Sequence, residues 1–317
     1  MADRRVLVRV PATSANLGPG FDSLGLALSL YDDVTAESAD STVIAVEGEG
    51  AGEVPEDEGH LIVRAMRAAF DRMSAPQPRG IRLRCVNRIP HARGLGSSSA
   101  AIVAGILAAR ALAESSYGDF GRRDGVPGDD GLLSDDGVLA LATEIEGHPD
   151  NVAPCLVGGL TIAWTDHEKS ARVAKFAPDS AITPVVIIPG FRLSTEEARG
   201  LLPSHVPHVD AAANAGRAAL LVAALTQRPE SDLLLTATED RLHQDYRAPA
   251  MPRTADLVQR LRANGVPAVV SGAGPTVLAF STSNTQDLIA PEVGTDWHIQ
   301  PLNVDPVGAV VQFPETR

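Results

Sequence analysis

The feature that most constrains this chain is a glycine-serine loop between a short strand and a long apolar helix. The strand is predicted at Ile81–Val86, where apolar and basic residues alternate, and the helix at Ala100–Ala113, which is almost entirely apolar. Between them lies Arg93-Gly94-Leu95-Gly96-Ser97-Ser98-Ser99-Ala100. Glycines let a ligand approach the backbone closely, and the first turn of a helix has unpaired N–H groups. The segment therefore predicts an anion-binding loop.

The loop has two other interpretations. It is not a Walker A phosphate loop, because no Gly-Lys-Ser/Thr sequence follows the glycines. A flexible turn that only caps the helix has the same composition, so the loop alone does not establish a phosphate site. The other polar segments of the chain must distinguish a phosphate-binding loop from a helix-capping turn.

Charge and cysteine content exclude several classes of function. The chain has 27 Lys+Arg against 40 Asp+Glu, a formal charge of −13, which disfavours binding to nucleic acid or to an anionic membrane. No apolar run approaches the roughly 18 residues of a membrane span, and the first residues do not form a signal peptide. Cys85 and Cys155 lack the paired spacing of a zinc site or disulfide framework. We therefore expect a cytoplasmic protein.

The order of predicted elements favours an α+β fold. Strands and helices alternate irregularly over the 317 residues, and no βαβ repeat indicates a doubly wound sheet. One helix is predicted at Asp232–Asp245. The polar segment Thr165–Ser170 predicts a boundary between an N-terminal domain at 1–168 and a C-terminal domain at 169–317. A glycine-rich stretch at 116–131 has little to bury, which predicts an exposed excursion.

Three further segments contain side chains suited to a small polar ligand. Near the start, Asn16 and Asp22 lie six residues apart around a Gly-Pro-Gly turn. The segment Glu144–Asn151 reads EIEGHPDN, in which two carboxylates could ligate a cation and a histidine and an amide could contact a substrate. A third segment, Ser271–Pro275, is a glycine turn between two predicted strands. Taken singly, each also has an ordinary interpretation as a turn or a helix cap.

Taken together, these segments resemble the GHMP kinase superfamily and, within it, the family that phosphorylates homoserine. The resemblance covers most of the chain: PATSANLGPGFDSLGLAL near the start, GLGSSSAA in the loop, EIEGHPDNVAP after it, STEEAR at 194–199, LHQDYR at 242–247 and SGAGPT at 271–276. It implies a ribosomal-protein-like N-terminal domain, a ferredoxin-like C-terminal domain and a homodimer. It also implies transfer of the γ-phosphoryl group of ATP, with Mg²⁺, to the side-chain hydroxyl of L-homoserine in threonine synthesis.

The resemblance further implies roles for individual residues. Residues 93–100 would hold the nucleotide phosphates, and Ser98 and Glu144 would hold Mg²⁺, with Glu146 as the competing carboxylate. L-Homoserine is a zwitterion, so Asp22 would bind its ammonium group while two guanidinium groups fork onto its carboxylate. The substrate-contacting set implied by the resemblance is Asn16, Asp22, His148, Asn151, Thr195, Arg199, Arg247 and Gly272. Within that set the catalytic candidates are Asn16, His148, Asn151 and Arg199, with Asn16 or Asn151 nearest the reacting hydroxyl.

The expected mechanism needs no lysine. Phosphoryl transfer depends mainly on positioning and electrostatic stabilisation. Lysine occurs only at positions 169 and 175, outside every motif, so we expect direct attack by the hydroxyl without a lysine-assisted base. If a base acts, His148 is the candidate.

The sequence departs from the family pattern at one motif, and two alternative functions stay open. His60-Leu61-Ile62 stands where relatives have Asn-Leu-Ile/Val near the adenine, so no residue is assigned to contact the adenine ring. A GHMP kinase for another small alcohol, or a non-catalytic nucleotide-binding relative, would share the loop.

Overall fold

A computed structural model describes residues 5–117, 132–167, 170–282 and 285–314. The strands are β1 (Val6–Ala15), β2 (Leu24–Ala39), β3 (Val43–Gly48), β4 (Gly80–Asn87), β5 (Leu160–Thr165), β6 (Ala171–Phe176), β7 (Thr183–Pro189), β8 (Ala268–Val270), β9 (Val277–Ser281), β10 (Trp297–Pro301) and β11 (Val310–Gln312). The helices are α1 (Leu61–Arg72), α2 (Ser97–Tyr117), α3 (Asp135–Glu146), α4 (Val152–Val157), α5 (Thr195–Gly200), α6 (His208–Thr226), α7 (Ser231–Ala237), α8 (Gln244–Arg247), α9 (Pro252–Ala263) and α10 (Gln286–Ile289).

The first sheet has seven strands, and it carries the loops that bear the predicted motifs. Its main path is β11-β1-β2-β4-β3, and β5 and β6 extend from β2. All its pairs are antiparallel except β3 with β4. The register of β1 against β2 shifts between Pro11 and Ala12. Proline lacks the N–H that a ladder needs, so a bulge is expected there, close to the segment that carries Asn16.

Helix α2 is the centre of the N-terminal core. Apolar residues surround its whole circumference, as expected of a helix buried on all sides, and α1, α3, α4 and β1 pack against it. Two helical segments, 97–115 in α2 and 208–226 in α6, are long and apolar enough to cross a membrane by length and composition alone. The first is 72% buried inside the protein, which is the pattern of a core helix, and the second is 22% buried.

The second sheet has four antiparallel strands in the order β10-β7-β9-β8. Helix α9 packs on β8 and β9 through Leu257, Val258 and Leu261, which belong to a separate apolar cluster. Helices α6 and α7 pack instead against the larger cluster that contains α2. The α+β class predicted from the sequence is confirmed.

Strand pairing and helix breaks refine the predicted layout. β6 pairs with β5, and β11 pairs with β1, so both belong to the first sheet, whereas the division at 168 and 169 placed their residues in the second domain. The prediction of a single helix at Asp232–Asp245 is wrong, because the structure has α7 and α8 there. The carboxylate of Asp240 accepts the N–H groups of Leu242, His243 and Gln244, which separates α7 from α8. The excursion predicted at 116–131 lies, beyond residue 117, outside the described residues.

Candidate active site

A cavity of about 300 Å³ lies between the two sheets, where the predicted motifs meet. Its walls come from both halves of the chain: Ala15, Asn16, Ala92, Gly94, Gly96, Ser97, Ser98, Glu146, His148, Asp150, Asn151, Ser194, Thr195, Arg199, Arg247, Gly272 and Ala273. Lining residues up to 256 positions apart in sequence make hydrogen bonds here. One cavity is therefore lined by the glycine-serine loop, the EIEGHPDN segment, Arg199 and Arg247.

The loop before α2 needs glycine at two positions. Gly94 and Gly96 both have a positive φ, of 73° and 72°. A Cβ at Gly96 would collide with Oγ1 of Thr13, and one at Gly94 would collide with the carbonyl of Ser271. The backbone can run this close to its neighbours only without side chains, and it delivers the first N–H groups of α2 to the cavity wall at Ser97 and Ser98.

The other loop residues support the loop rather than line the cavity. The guanidinium of Arg93 donates to the carbonyls of His91, Pro189 and Gly190, so it ties the loop to the end of β7. Leu95, Ser99 and Ala100 are buried, and the hydroxyl of Ser99 has no hydrogen-bond partner in the described structure.

The carboxylate beside Ser98 is Glu146, whereas the resemblance implied Ser98 and Glu144 as the Mg²⁺ ligands, with Glu146 as the competing carboxylate. The Ser98 hydroxyl donates to Oε1 of Glu146 at 2.6 Å. Glu144 points to the surface, where it pairs with Arg72 at 2.6 Å and its side chain is 67% exposed. Residues two apart on a helix lie about 200° apart around its axis, so α3 can present only one of the two carboxylates to the cavity.

The segment from Asn16 to Asp22 is held in an unusual backbone conformation. Asn16, Leu17 and Asp22 all have positive φ, of 67°, 52° and 55°. Such values are costly for non-glycine residues, above all for leucine, and persist where surrounding contacts impose them. Here the Asn16 side chain accepts from the Asp22 N–H at 3.0 Å and donates to the carbonyl of Gly272 at 2.9 Å. The amide therefore joins this segment to the glycine turn of the second sheet.

The predicted charged partners of a zwitterion lie together. Arg199 forks onto Asp22, with N–O distances of 2.7 and 3.2 Å. Arg247 is 1% exposed and donates to the carbonyls of Gly272 and Ala198 at 3.3 Å. Both guanidinium groups lie near the ring of Phe21, and their carbons are 5.9 and 5.4 Å from its centre. An aromatic face stabilises a cation near it.

The charges around these arginines are unequal. Burial opposes the charge of Arg199, but the hydrogen bond and charge of Asp22 outweigh it and raise the Arg199 pKa. Burial, followed by the charge of Arg199, lowers the pKa of Arg247. Since Arg247 has no carboxylate within salt-bridge distance among the described residues, an incoming anion would supply the missing counter-charge.

His148 and Asn151 are each oriented by one neighbour. Gly147 caps the C-terminal end of α3. Its left-handed φ of 92° turns the chain so that His148 lies at the cavity. Its Nδ1 lies 2.6 Å from the buried carboxylate of Asp150. Burial lowers the His148 pKa, but this hydrogen bond and charge outweigh it, so the net direction is upward. The Asn151 Oδ1 accepts from the hydroxyl of Thr13 at 2.8 Å, which leaves its NH₂ group for a ligand.

A second cavity of about 280 Å³ adjoins the first at Ser97 and Ser98. Its walls are mainly apolar, including Val10, Val34, Val54, Leu61, Ile62 and Ala101. His60 also lines it, and its Nδ1 accepts from the Ile62 N–H at 3.2 Å, so the histidine caps α1. Burial raises the pKa of Asp32, at the same wall, to about 6. A flat apolar group attached to phosphates on the loop would fit this side of it.

Sequence reasoning missed four residues that shape the site: Thr13, Phe21, Asp150 and His243. All four lie inside the motifs that carry the family resemblance. Only Asp150 has a charge complementary to one end of the substrate, and its carboxylate contacts His148. Thr195, in contrast, was predicted and lines the cavity at the first turn of α5.

Comparison with known proteins identifies the family of this chain. The family models described as GHMP kinases N terminal domain and GHMP kinases C terminal match residues 60–159 and 211–298. Homoserine kinase of Streptomyces coelicolor is 58% identical over 96% of this chain and 94% of its own length. The Streptomyces avermitilis homoserine kinase is 59% identical over 96% and 95%. The crystal structure of homoserine kinase from Cytophaga hutchinsonii superposes with a TM-score of 0.79 at 25% identity, covering 98% of both chains. The chain belongs to the homoserine kinase family of the GHMP kinases.

Proposed function

We propose that this protein transfers the γ-phosphoryl group of ATP to the side-chain hydroxyl of L-homoserine, giving O-phospho-L-homoserine for threonine synthesis. The observation that carries the proposal is that Arg199 and Arg247 line the same cavity as the glycine-serine loop, with Asp22 paired to Arg199. Family membership and the names of the relatives support the same activity.

The charge pattern suits an amino acid with a short hydroxylated side chain. The ammonium group would bind the Asp22 carboxylate, and the carboxylate would bind the guanidinium groups of Arg199 and Arg247. Arg199 and Asp22 pair with each other, so a zwitterion would replace part of that pair with an alternating set of charges. A small alcohol without an ammonium group would leave Asp22 without a new partner.

The second half of the proposal places ATP on the loop and in the neighbouring apolar cavity. The triphosphate would receive N–H donors from the start of α2, with the base beside Leu61 and Ile62. Ser98 and Glu146 supply a hydroxyl and a carboxylate, which are the hard oxygen ligands that Mg²⁺ prefers. When bound, Mg²⁺ neutralises charge on the transferring phosphate. The described residues contain no group of three or more His, Cys, Asp or Glu side chains placed to hold a metal ion.

The reaction then requires positioning more than proton removal by a side chain. The homoserine oxygen forms a bond to the γ-phosphorus, the bond from that phosphorus to the bridging oxygen breaks, and ADP leaves. The hydroxyl proton passes to a phosphate oxygen or to solvent. Asn16 and Asn151 would orient the hydroxyl, because both amides are fixed by Gly272 and Thr13. A raised pKa keeps more of His148 protonated at neutral pH, which favours a contact with a negative oxygen over a role as base.

The remaining parts of the proposal rest on resemblance and on charge. We propose a cytoplasmic homodimer, and the net charge of −13 supports the expectation that neither nucleic acid nor an anionic membrane is a partner. Sedimentation equilibrium would test the dimer.

A coupled ADP-release assay with a panel of small hydroxy compounds tests the activity. L-Homoserine should give the highest kcat/KM. The kcat/KM for 4-hydroxybutyrate should be much lower because this compound lacks the ammonium group, and that for homoserine methyl ester should be much lower because it lacks the carboxylate. Asp22→Asn should reduce the preference for L-homoserine over 4-hydroxybutyrate. Equal turnover of both compounds by the wild type would favour the alternative, a GHMP kinase for another alcohol. No ADP release with any compound would favour a non-catalytic relative.

A further inference from the structure

His243 joins the two ends of the substrate site, although it does not line the cavity. The residue precedes α8 and is 0% exposed. Its Nε2 lies 2.8 Å from the carbonyl of Gly18, in the middle of the Asn16–Asp22 segment. Its Nδ1 lies 3.1 Å from Nη1 of Arg247. One ring therefore contacts the segment that carries Asp22 and the guanidinium assigned to the substrate carboxylate.

The partners of the ring allow only one protonation state. A carbonyl oxygen can only accept, so Nε2 must carry a proton. A guanidinium N–H can only donate, so Nδ1 must be unprotonated. Burial lowers the His243 pKa, although the charge of Asp240 opposes it, and the neutral ring agrees with both hydrogen bonds. The imidazole is thus fixed as the Nε2–H tautomer.

The ring also has a fixed plane. It stacks on Phe21, with ring centres 5.3 Å apart and planes inclined by 29°. Asp240 lies 3.7 Å from Nε2 and caps the turn that precedes α8. Rotation of the imidazole would break the bonds to Gly18 and Arg247 together, so one of the contacts that orient the guanidinium depends on the position of the Asn16–Asp22 segment.

We propose that His243 is a positioning residue for the phosphorylation reaction. It fixes the spacing between Asp22, which would bind the ammonium group, and Arg247, which would bind the carboxylate. The inference rests on the proposed function, since it assigns those two groups to opposite ends of L-homoserine. A small zwitterion tolerates little error in that spacing, because both of its charges must meet their partners at the same time.

A second anchor of the same segment provides a matched control. The buried Asn214 donates to the carbonyl of Pro19 at 2.6 Å and accepts from the N–H of Arg241. It holds the segment in place but has no bond to Arg247. Loss of Asn214 removes a loop anchor alone, whereas loss of His243 removes the connection between the loop and the guanidinium.

Steady-state kinetics of variants separate positioning from a general effect on folding. His243→Phe keeps the ring on Phe21 but removes both hydrogen bonds, and we expect the KM for L-homoserine to rise by about ten- to hundredfold. The KM for ATP should change by less than about twofold, because the loop before α2 is untouched. His243→Gln should recover most of the loss, since an amide can donate to Gly18 and accept from Arg247. Equal increases in both KM values, or a glutamine variant no better than phenylalanine, would overturn the proposal.

A double-mutant cycle tests the connection itself. In an Arg247→Met background, His243→Phe should raise the KM for L-homoserine by less than about threefold, because its partner is already gone. Asn214→Ala should have the same effect in both backgrounds. If His243→Phe retains its full effect without Arg247, the residue acts as packing and the proposal fails.

Failure of the proposed function would be visible separately, as absence of wild-type turnover of L-homoserine. The tautomer can be tested without any substrate. Ring ¹⁵N shifts of His243 in the wild type should show a neutral Nε2–H imidazole from about pH 6 to about pH 8. A protonated ring or an Nδ1–H tautomer in that range would overturn the inference.

Discussion

Glutamine substitution of the two glutamates near the end of α3 separates a site carboxylate from a surface one. Glu144 and Glu146 have the same chemistry and lie two residues apart, but only Glu146 touches Ser98. We expect Glu146→Gln to abolish most activity and Glu144→Gln to leave it nearly unchanged. Each variant serves as the matched control for the other, because both remove one negative charge from the same helix end.

The size of the Glu146 effect follows from its position. A unit charge about 4 Å from another, at an effective dielectric constant of about 20, interacts by about 4 kcal/mol. Removing one preorganised electrostatic group from an active site typically lowers kcat by about 10²- to 10³-fold, which is the same range. We therefore expect a loss of kcat of that size in Glu146→Gln and a higher Mg²⁺ concentration for half-maximal activity.

The Glu144 effect should be small because its ion pair is exposed. The side chains of Glu144 and Arg72 are 67% and 41% exposed, so solvent screens their attraction. Such surface pairs contribute about 0 to 1 kcal/mol to folding. The kcat and Mg²⁺ dependence of Glu144→Gln should stay within about twofold of the wild type.

ADP release at saturating ATP and L-homoserine, measured over a series of Mg²⁺ concentrations, gives both quantities. Thermal unfolding of the two variants checks that neither has lost its fold. If Glu144→Gln loses as much activity as Glu146→Gln, or if Glu146→Gln keeps wild-type kcat, the assignment of the cation to Ser98 and Glu146 is refuted.

Three further predictions follow from the same geometry. Gly96→Ala should lower kcat/KM for ATP by at least about tenfold, since its Cβ would collide with Thr13 and the residue has a positive φ; unchanged ATP kinetics would contradict the close approach. Asp32 has its pKa raised by burial from 3.8 to about 6, so its contribution to stability is greatest at low pH and is lost as the pH rises through 6. Asp32→Asn keeps the oxygen that accepts two backbone N–H groups. Relative to the wild type, its free energy of unfolding in urea should therefore increase by about 1.4 kcal/mol between about pH 5 and about pH 8, and a pH-independent difference would count against the burial argument. His148, whose pKa is raised chiefly by Asp150 against the effect of burial, should act as a protonated donor, so kcat/KM should fall as the pH rises through that pKa and the fall should vanish in His148→Gln; activity lost on the acid side instead would indicate a base.

The loops of the site could be predicted because their signals are local. Glycines at 94 and 96, the Gly-Pro-Gly turn after Asn16 and the turn at Ser271–Pro275 mark backbone bends whatever lies around them. Their meeting in one cavity depended on the family resemblance, since no periodicity shows that residues 16 and 272 form a hydrogen bond. The order of strands and helices predicts the fold class, but it does not predict which strands pair.

The choice between Glu144 and Glu146 could not be made from the sequence, because it depends on how α3 packs. The helix buries Val138, Leu139, Leu141 and Ala142, and that packing sets which later residue faces Ser98. The break at Asp240 was missed for a different reason. Leucines before it and a polar helix-like run after it continue a helical pattern, while the capping carboxylate acts through three backbone N–H groups.

The residues that sequence reasoning missed share one property, which is that they bind other site residues rather than the substrate. Thr13 orients Asn151, Asp150 orients His148 and His243 joins Gly18 to Arg247. An inventory that matches charges to the ends of a substrate cannot find such residues, because their partners are protein atoms up to 225 positions away. Contacts between the two sheets also support both parts of the site. Arg93 ties the glycine-serine loop to the end of β7, and Asn16 donates to the carbonyl of Gly272. Substitutions that loosen the contacts between the sheets should therefore raise the KM for ATP as well as the KM for homoserine.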